Sequence, residues 1–155
     1  MNTLGLDVSP LRIGWAVYDN DALTDHGTIT FNTNDWVTPG MRSDAIEDTL
    51  DKYTIDQVAA EAVFVGINKL GSIRAAMALG QVESICDYLW PEAPQKILTA
   101  TQWRKLCDIS QGGKKPVMDW ALAKCDEHGL AKPDTQDAAD AIAIAYAGYL
   151  WFSNE

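Results

Sequence analysis

The sequence predicts an α/β fold with one mixed five-stranded sheet and helices on both of its faces. Three observations lead there. The chain opens with three short apolar runs separated by polar turns, which reads as an antiparallel meander. After that, strand-like runs alternate with helix-like ones, and a long alanine-rich helical segment closes the pattern, giving the order β-β-β-α-β-α-β-α-α-α. At 155 residues, 47% hydrophobic and 22% charged, the chain is long enough for one real core and too short for two domains of ordinary size.

Residues 4–8 are apolar except for Asp7, and after the turn Ser9-Pro10-Leu11-Arg12 a second run covers residues 13–18. The two form a predicted hairpin. The polar turn Asp19-Asn20-Asp21 leads to a third strand over residues 26–32. Ile46, Leu50 and Tyr53 recur at helical spacing among acids, so residues 42–53 read as a helix starting near Ser43. Residues 57–65, QVAAEAVFV, are apolar except for Glu61 and read as a buried fourth strand. A long helix follows over 71–89, with Ile73, Met77, Val82, Ile85 and Leu89 apolar and Ala75, Ala76, Ala78 and Gly80 small. Residues 95–98 suit a fifth strand, and Thr99 or Thr101 a helix cap for a short helix through Leu106. The stretch 108–113, ending in Gly112-Gly113, reads as a flexible loop, and Pro116 suits the first turn of a helix over 117–127. Asp134 or Thr135 caps the last helix, which runs to about Phe152.

Composition excludes several classes of function. No stretch of about 18 apolar residues is present, so a membrane-spanning helix is not expected. The start of the chain lacks the basic region and apolar core of a secretory signal. Cys86, Cys107 and Cys125 are odd in number and far apart, and His26 and His128 are isolated. They read as reduced thiols and structural histidines of a cytoplasmic protein, not as a zinc site. The net charge of -10 weighs against nucleic acid until its distribution is examined. Residues 1–60 hold ten acids and three basic residues and residues 121–155 six and two, whereas residues 61–120 hold six acids and seven basic residues. The middle third is therefore the segment suited to a polyanion.

Four carboxylates stand where apolar neighbours predict burial: Asp7 in the first strand, Glu61 in the fourth, and Asp137 and Asp140 in the helix DAADAIAIAYAGY. A lone ionised carboxylate in such a place costs several kcal/mol unless it is neutralised. The i, i+3 spacing puts Asp137 and Asp140 on one helix face. If that face meets the strand ends carrying Asp7 and Glu61, four like charges converge, and a divalent cation is their natural partner. Oxygen donors without Cys or His favour Mg²⁺ or Mn²⁺ over Zn²⁺. Singly, Asp7 is also a turn-capping residue and Asp137 a favourable charge near a helix N-terminus.

LGLDVSPLRIGWAVYD resembles the first motif of the RuvC family of Holliday junction resolvases, VAAEAVFVGIN the second, and DTQDAADAIAIA the last, while SIRAAMALGQVESI resembles the Leu-Gly-Gln helix after the second motif. The motifs come in the family's order and span nearly the whole chain, as one nuclease domain over 1–155. The resemblance implies an RNase H-like fold, a homodimer paired through the helix near 71–89, and Mg²⁺-dependent cutting of paired phosphodiesters in four-way or other branched DNA, with Mn²⁺ able to substitute. Asp7, Glu61, Asp137 and Asp140 match its four metal-binding, catalytic acids. In such a two-metal site one ion activates water and the other stabilises the leaving 3′ oxygen, about 3.5–4 Å apart, leaving 5′-phosphate and 3′-hydroxyl ends.

Phe64 matches an aromatic that stacks on bases near the crossover, although a Phe in a buried strand equally suits the core. Asn68 and Lys69 could reach phosphates from the following loop, and Arg104, Lys105, Lys114 and Lys115 fall where the family places basic DNA contacts. The sequence departs from the family at Ser9-Pro10, where Pro-Gly is usual, at Ala62, where Gln is common, and in its acidity, a drift that suits a phage-type member. Two alternative readings are a YqgF-like RNA-processing nuclease and a catalytically silent protein that binds DNA structures.

Overall fold

The computed structural model describes residues 1–155. Its strands are β1 (Asn2–Val8), β2 (Arg12–Asp19), β3 (Ala22–Thr30), β4 (Gln57–Glu61) and β5 (Gln95–Leu98), and its helices are α1 (Pro39–Leu50), α2 (Lys69–Leu89), α3 (Ala100–Leu106), α4 (Lys115–Glu127) and α5 (Gln136–Ser153). The sheet order is β3-β2-β1-β4-β5. β1, β2 and β3 pair antiparallel, while β4 joins β1 and β5 joins β4 in parallel. The predicted mixed sheet and element order are those observed.

The period-two alternation of each strand divides the core into two layers. Leu4, Leu6, Ile13, Trp15, Val17, Val58 and Ala60 pack with Ile46 and Leu50 of α1 and with Leu79, Val82 and Ile85 of α2. On the opposite face, Ala16 and Tyr18 pack with Ala121 and Cys125 of α4 and the alanines of α5, and Ala59 packs with Trp103 of α3 and Ala143, Ile144 and Ala147 of α5. α5 lies unusually flush on the sheet. A Cβ built on Gly5 would fall 2.3 Å from the Ala145 nitrogen, and one on Gly148 2.6 Å from the Ala59 Cβ. Glycine facing alanine on both surfaces is what permits that approach.

Several boundaries differ from expectation. β3 begins at Ala22, not at residue 26, because the turn is tight: Asp19 pairs directly with Ala22, and Asn20 takes a left-handed φ of 53°. α1 begins at Pro39, capped by the Thr38 hydroxyl accepting from the Met41 amide, and stops at Leu50. β4 ends at Glu61 instead of Val65. The Ala62 amide makes one more bond to the Leu98 carbonyl, and beyond it β5 has ended and offers no further ladder. α2 starts two residues early, at Lys69. Its Ile73 and Met77, read as part of the apolar pattern, are exposed together with Leu70 and Tyr88, so α2 has a buried face and a separate, open apolar one. The three cysteines are free and buried, and His26 Nε2 bonds the Ala131 carbonyl. No helix is long and apolar enough to cross a membrane.

Candidate active site

The alternation that buries Leu4 and Leu6 beneath α1 and α2 turns Thr3, Gly5 and Asp7 toward α5. The same rule in β4 turns Gln57, Ala59 and Glu61 that way, and the Gln57 amide donates to the Thr3 hydroxyl across the two strands. Parallel pairing of Leu6 with Ala60 places Asp7 and Glu61 level with one another, at the C-terminal edge of adjacent strands. β2 completes the frame. Gly14 is the cross-strand partner of Asp7, and a Cβ on Gly14 would lie 2.1 Å from the Asp137 carbonyl oxygen. The start of α5 therefore rests directly on the sheet beside Asp7. Thr135 caps the helix by accepting from the Ala138 amide, and Thr28 of β3 anchors the approach through Asp134 and Thr135.

Asp7, Glu61, Asp137 and Asp140 thus lie along one sheet edge, close enough to act on one another electrostatically. Burial pushes the Asp7 carboxyl up to about 9, with further upward contributions from Asp140, Glu61 and Asp137 and from a proton shared with Asp137. Burial also raises Glu61 and Asp140, each partly offset by a hydrogen-bond donor. Trp103 Nε1 donates to Glu61 Oε2 at 2.9 Å, and Gln136 Nε2 donates to Asp140 Oδ1 at 2.8 Å. Asp137 pairs with Arg12 Nε at 3.0 Å. As they stand, no three of these side chains form a ready ligand group, and Glu61, Asp140 and Asp137 are each held by another partner, Trp103, Gln136 and Arg12. The donor chemistry nonetheless fits a hard cation: oxygen ligands only, crowded like charges, and no histidine or thiolate among them.

Homology settles the lineage. The chain is 30% identical over 152 residues to a crossover junction endodeoxyribonuclease RuvC of Aromatoleum aromaticum, covering 94% of this chain and 81% of the relative. The chain belongs to the RuvC family. No protein-family profile matches it. Its fold is similar to that of Thermus thermophilus RuvC in complex with a Holliday junction substrate, at a TM-score of 0.80 and 17% identity over 99% of this chain and 96% of that one. It is also similar to the yeast mitochondrial Holliday junction resolvase, at a TM-score of 0.61 and 9% identity over 97% and 78% of the two chains. The sheet is accordingly that of the RuvC, RNase H-like fold.

The remaining candidates of this RuvC-family chain differ in how free they are. Phe64 is 85% exposed, standing on the loop after β4 instead of in the core. Asn68 caps α2, its side-chain oxygen accepting from the Gly71 amide, so its oxygen serves the helix. Lys69 and Lys105 are exposed. Arg104 is committed to its own chain: Nη1 donates to the carbonyls of Ser110 and Gly112 at 2.8 and 3.1 Å, and Nη2 to that of Gly113. The stretch expected to be a flexible loop is therefore clasped, with Gly112 and Gly113 at positive φ. Lys114 stands at the start of α4 and its charge lowers Asp140, while Arg104 lowers both Asp140 and Glu61. Lys115 pairs with Asp119 at 2.6 Å on an open surface.

Three residues that hold the acids escaped the sequence reading. Gln136 was open to discovery, since it precedes Asp140 by four on one helix and i, i+4 neighbours meet. Arg12 lies in the first turn, where a charge is ordinarily solvated. Trp103 carries no local signal at all, because its bond to Glu61 spans 42 residues of sequence.

Proposed function

We propose that this chain is a single RuvC-like nuclease domain that resolves Holliday junctions or other branched DNA by paired, metal-dependent nicks. The observation carrying the reading is the meeting of Asp7, Glu61, Asp137 and Asp140 from β1, β4 and α5 at one sheet edge, within a family of crossover junction endodeoxyribonucleases. Those four acids would hold Mg²⁺, for which Mn²⁺ substitutes. When bound, the metal supplies Lewis-acid polarisation of the scissile phosphate and a more acidic attacking water. The protein's own part is orientation. Arg12, Gln136 and Trp103 each hold one carboxylate, and loading a cation would draw the acids onto a shared ion. Hydrolysis of this kind would leave 5′-phosphate and 3′-hydroxyl ends. A synthetic four-way junction cut with Mg²⁺, beside a matched RNA substrate, tests the reading; RNA cut in preference to the junction would replace it with the RNA-processing alternative.

Phe64 projects from the loop that begins at Glu61, and base stacking is its proposed role. Because it is exposed, Phe64→Ala is expected to leave the melting temperature unchanged while lowering junction cleavage about tenfold, in line with about 1–3 kcal/mol per stacked base. A melt and a cleavage time course check both halves. Lys69, Lys105, Lys114 and Lys115 would supply phosphate contacts near the site, giving affinity that falls steeply with salt.

Paired nicks need two copies. The open apolar face of α2, formed by Leu70, Ile73, Met77 and Tyr88, supports a homodimer in which these residues are covered. Ile73→Lys is expected to give a folded monomer by light scattering that still binds metal and no longer makes paired cuts.

A further inference from the structure

We infer that Trp103 is a positioning residue for Glu61, using its indole N–H to aim the carboxylate at the other three acids. The inference rests on the proposed metal site and adds a residue to it. The geometry follows from the sheet. Glu61 is the last residue of β4 and stands opposite Leu98, the last residue of β5. Thr99 then caps α3 through a reciprocal box with Gln102: the Gln102 amide donates to the Thr99 hydroxyl, and the Gln102 side chain accepts from the Thr99 amide. One turn later the Trp103 amide bonds the Thr99 carbonyl at 3.0 Å, which brings the indole back over the end of β4. Trp103 is 2% exposed, packed with Ala59, Leu98 and Ala143, so the ring has no freedom to swing away.

A buried indole N–H must find an acceptor, and here the acceptor is Glu61 Oε2 at 2.9 Å. The bond fixes the orientation of the carboxylate and occupies one of its oxygens, leaving Oε1 as the atom free to face a cation. A phenylalanine here would keep most of the packing and lose that restraint.

The test is Trp103→Phe beside Glu61→Gln, with Mn²⁺ binding followed by calorimetry on the uncut protein and junction cleavage measured across metal concentrations. Trp103→Phe is expected to weaken Mn²⁺ binding about tenfold, consistent with loss of one hydrogen bond to a charged group. Cleavage should fall at limiting metal and largely recover in excess, a split that a purely structural role would not produce. Mn²⁺ binding unchanged in Trp103→Phe overturns the inference. Mn²⁺ binding unchanged in Glu61→Gln overturns instead the assignment of Glu61 as a ligand. Should Trp103→Phe not fold, the wild-type indole N–H signals carry the test by nuclear magnetic resonance. One of the six is expected to move both on Mg²⁺ addition and in Glu61→Gln, and the absence of any such signal overturns the inference equally.

Discussion

Asp7→Asn is expected to abolish junction cleavage, by about a thousandfold or more, while making the metal-free protein more stable. The two effects share one cause. Burial, and after it the neighbouring Asp140, Glu61 and Asp137, raises the Asp7 carboxyl to about 9 from an ordinary 3.8. A group whose folded value is raised contributes its stability below the unfolded value and loses it as pH climbs through the folded one. Metal-free wild type should therefore lose stability, relative to Asp7→Asn, as pH rises from about 4 toward 9. The asparagine is neutral throughout and escapes the penalty, yet it is a far poorer ligand for a hard cation. Paired melts of the two proteins across this range, with and without Mg²⁺, check the prediction. Equal melting curves at every pH would show that the Asp7 carboxyl is not raised by its surroundings, and cleavage by the variant would remove Asp7 from the chemistry.

Gly14→Ala carries the second large effect, and it acts through backbone. The added methyl would meet the Asp137 carbonyl oxygen at 2.1 Å and the Ala138 nitrogen at 2.9 Å, and neither atom can rotate aside as a side chain would. Either α5 lifts from the sheet or β2 bends away from it. Both break a close-packed contact, at a cost of order 3 kcal/mol, and both move Asp137 and Asp140 relative to Asp7. A melting temperature lower by several degrees together with loss of cleavage is the expected outcome. Replacing the exposed Gly80, whose added Cβ would meet nothing within 4 Å, is the matched control and should leave the melt unchanged or raise it, since alanine suits a helix better.

Much of this site was legible in the sequence because burial and charge conflict there. An Asp inside LGLDV and a Glu inside QVAAEAVFV announce themselves, and strand alternation fixes which way each one points once the apolar neighbours are known. What stayed hidden depends on residues that satisfy no local pattern. Arg42 is 4% exposed, with its guanidinium donating to the Gln81 side chain and the Pro10 carbonyl. Those partners lie 39 and 32 residues away and leave no local trace, whereas the helix start, read near Ser43, lies at the Thr38-Pro39 cap. Phe64 failed in the opposite sense. Its apolar neighbours Val63 and Val65 extended the strand pattern by four residues, whereas the length of β4 is set by where β5 stops. Strand ends obey their pairing partners, which a single segment does not reveal.

The flush seating of α5 on the sheet has a consequence for how the protein is made. The acid pocket joins residue 7 of β1 to residues 137 and 140 of α5, an arrangement of high sequence separation that forms late in folding. During synthesis the three-stranded meander, α1 and α2 emerge first and can pack their own layer, but the opposite layer lacks its central helix, α5, against which α3 and α4 pack. A nascent chain therefore carries Asp7 and Glu61 without Asp137 and Asp140. Half of the proposed ligand set thus arrives with α5, and the proposed site is complete only once that helix docks.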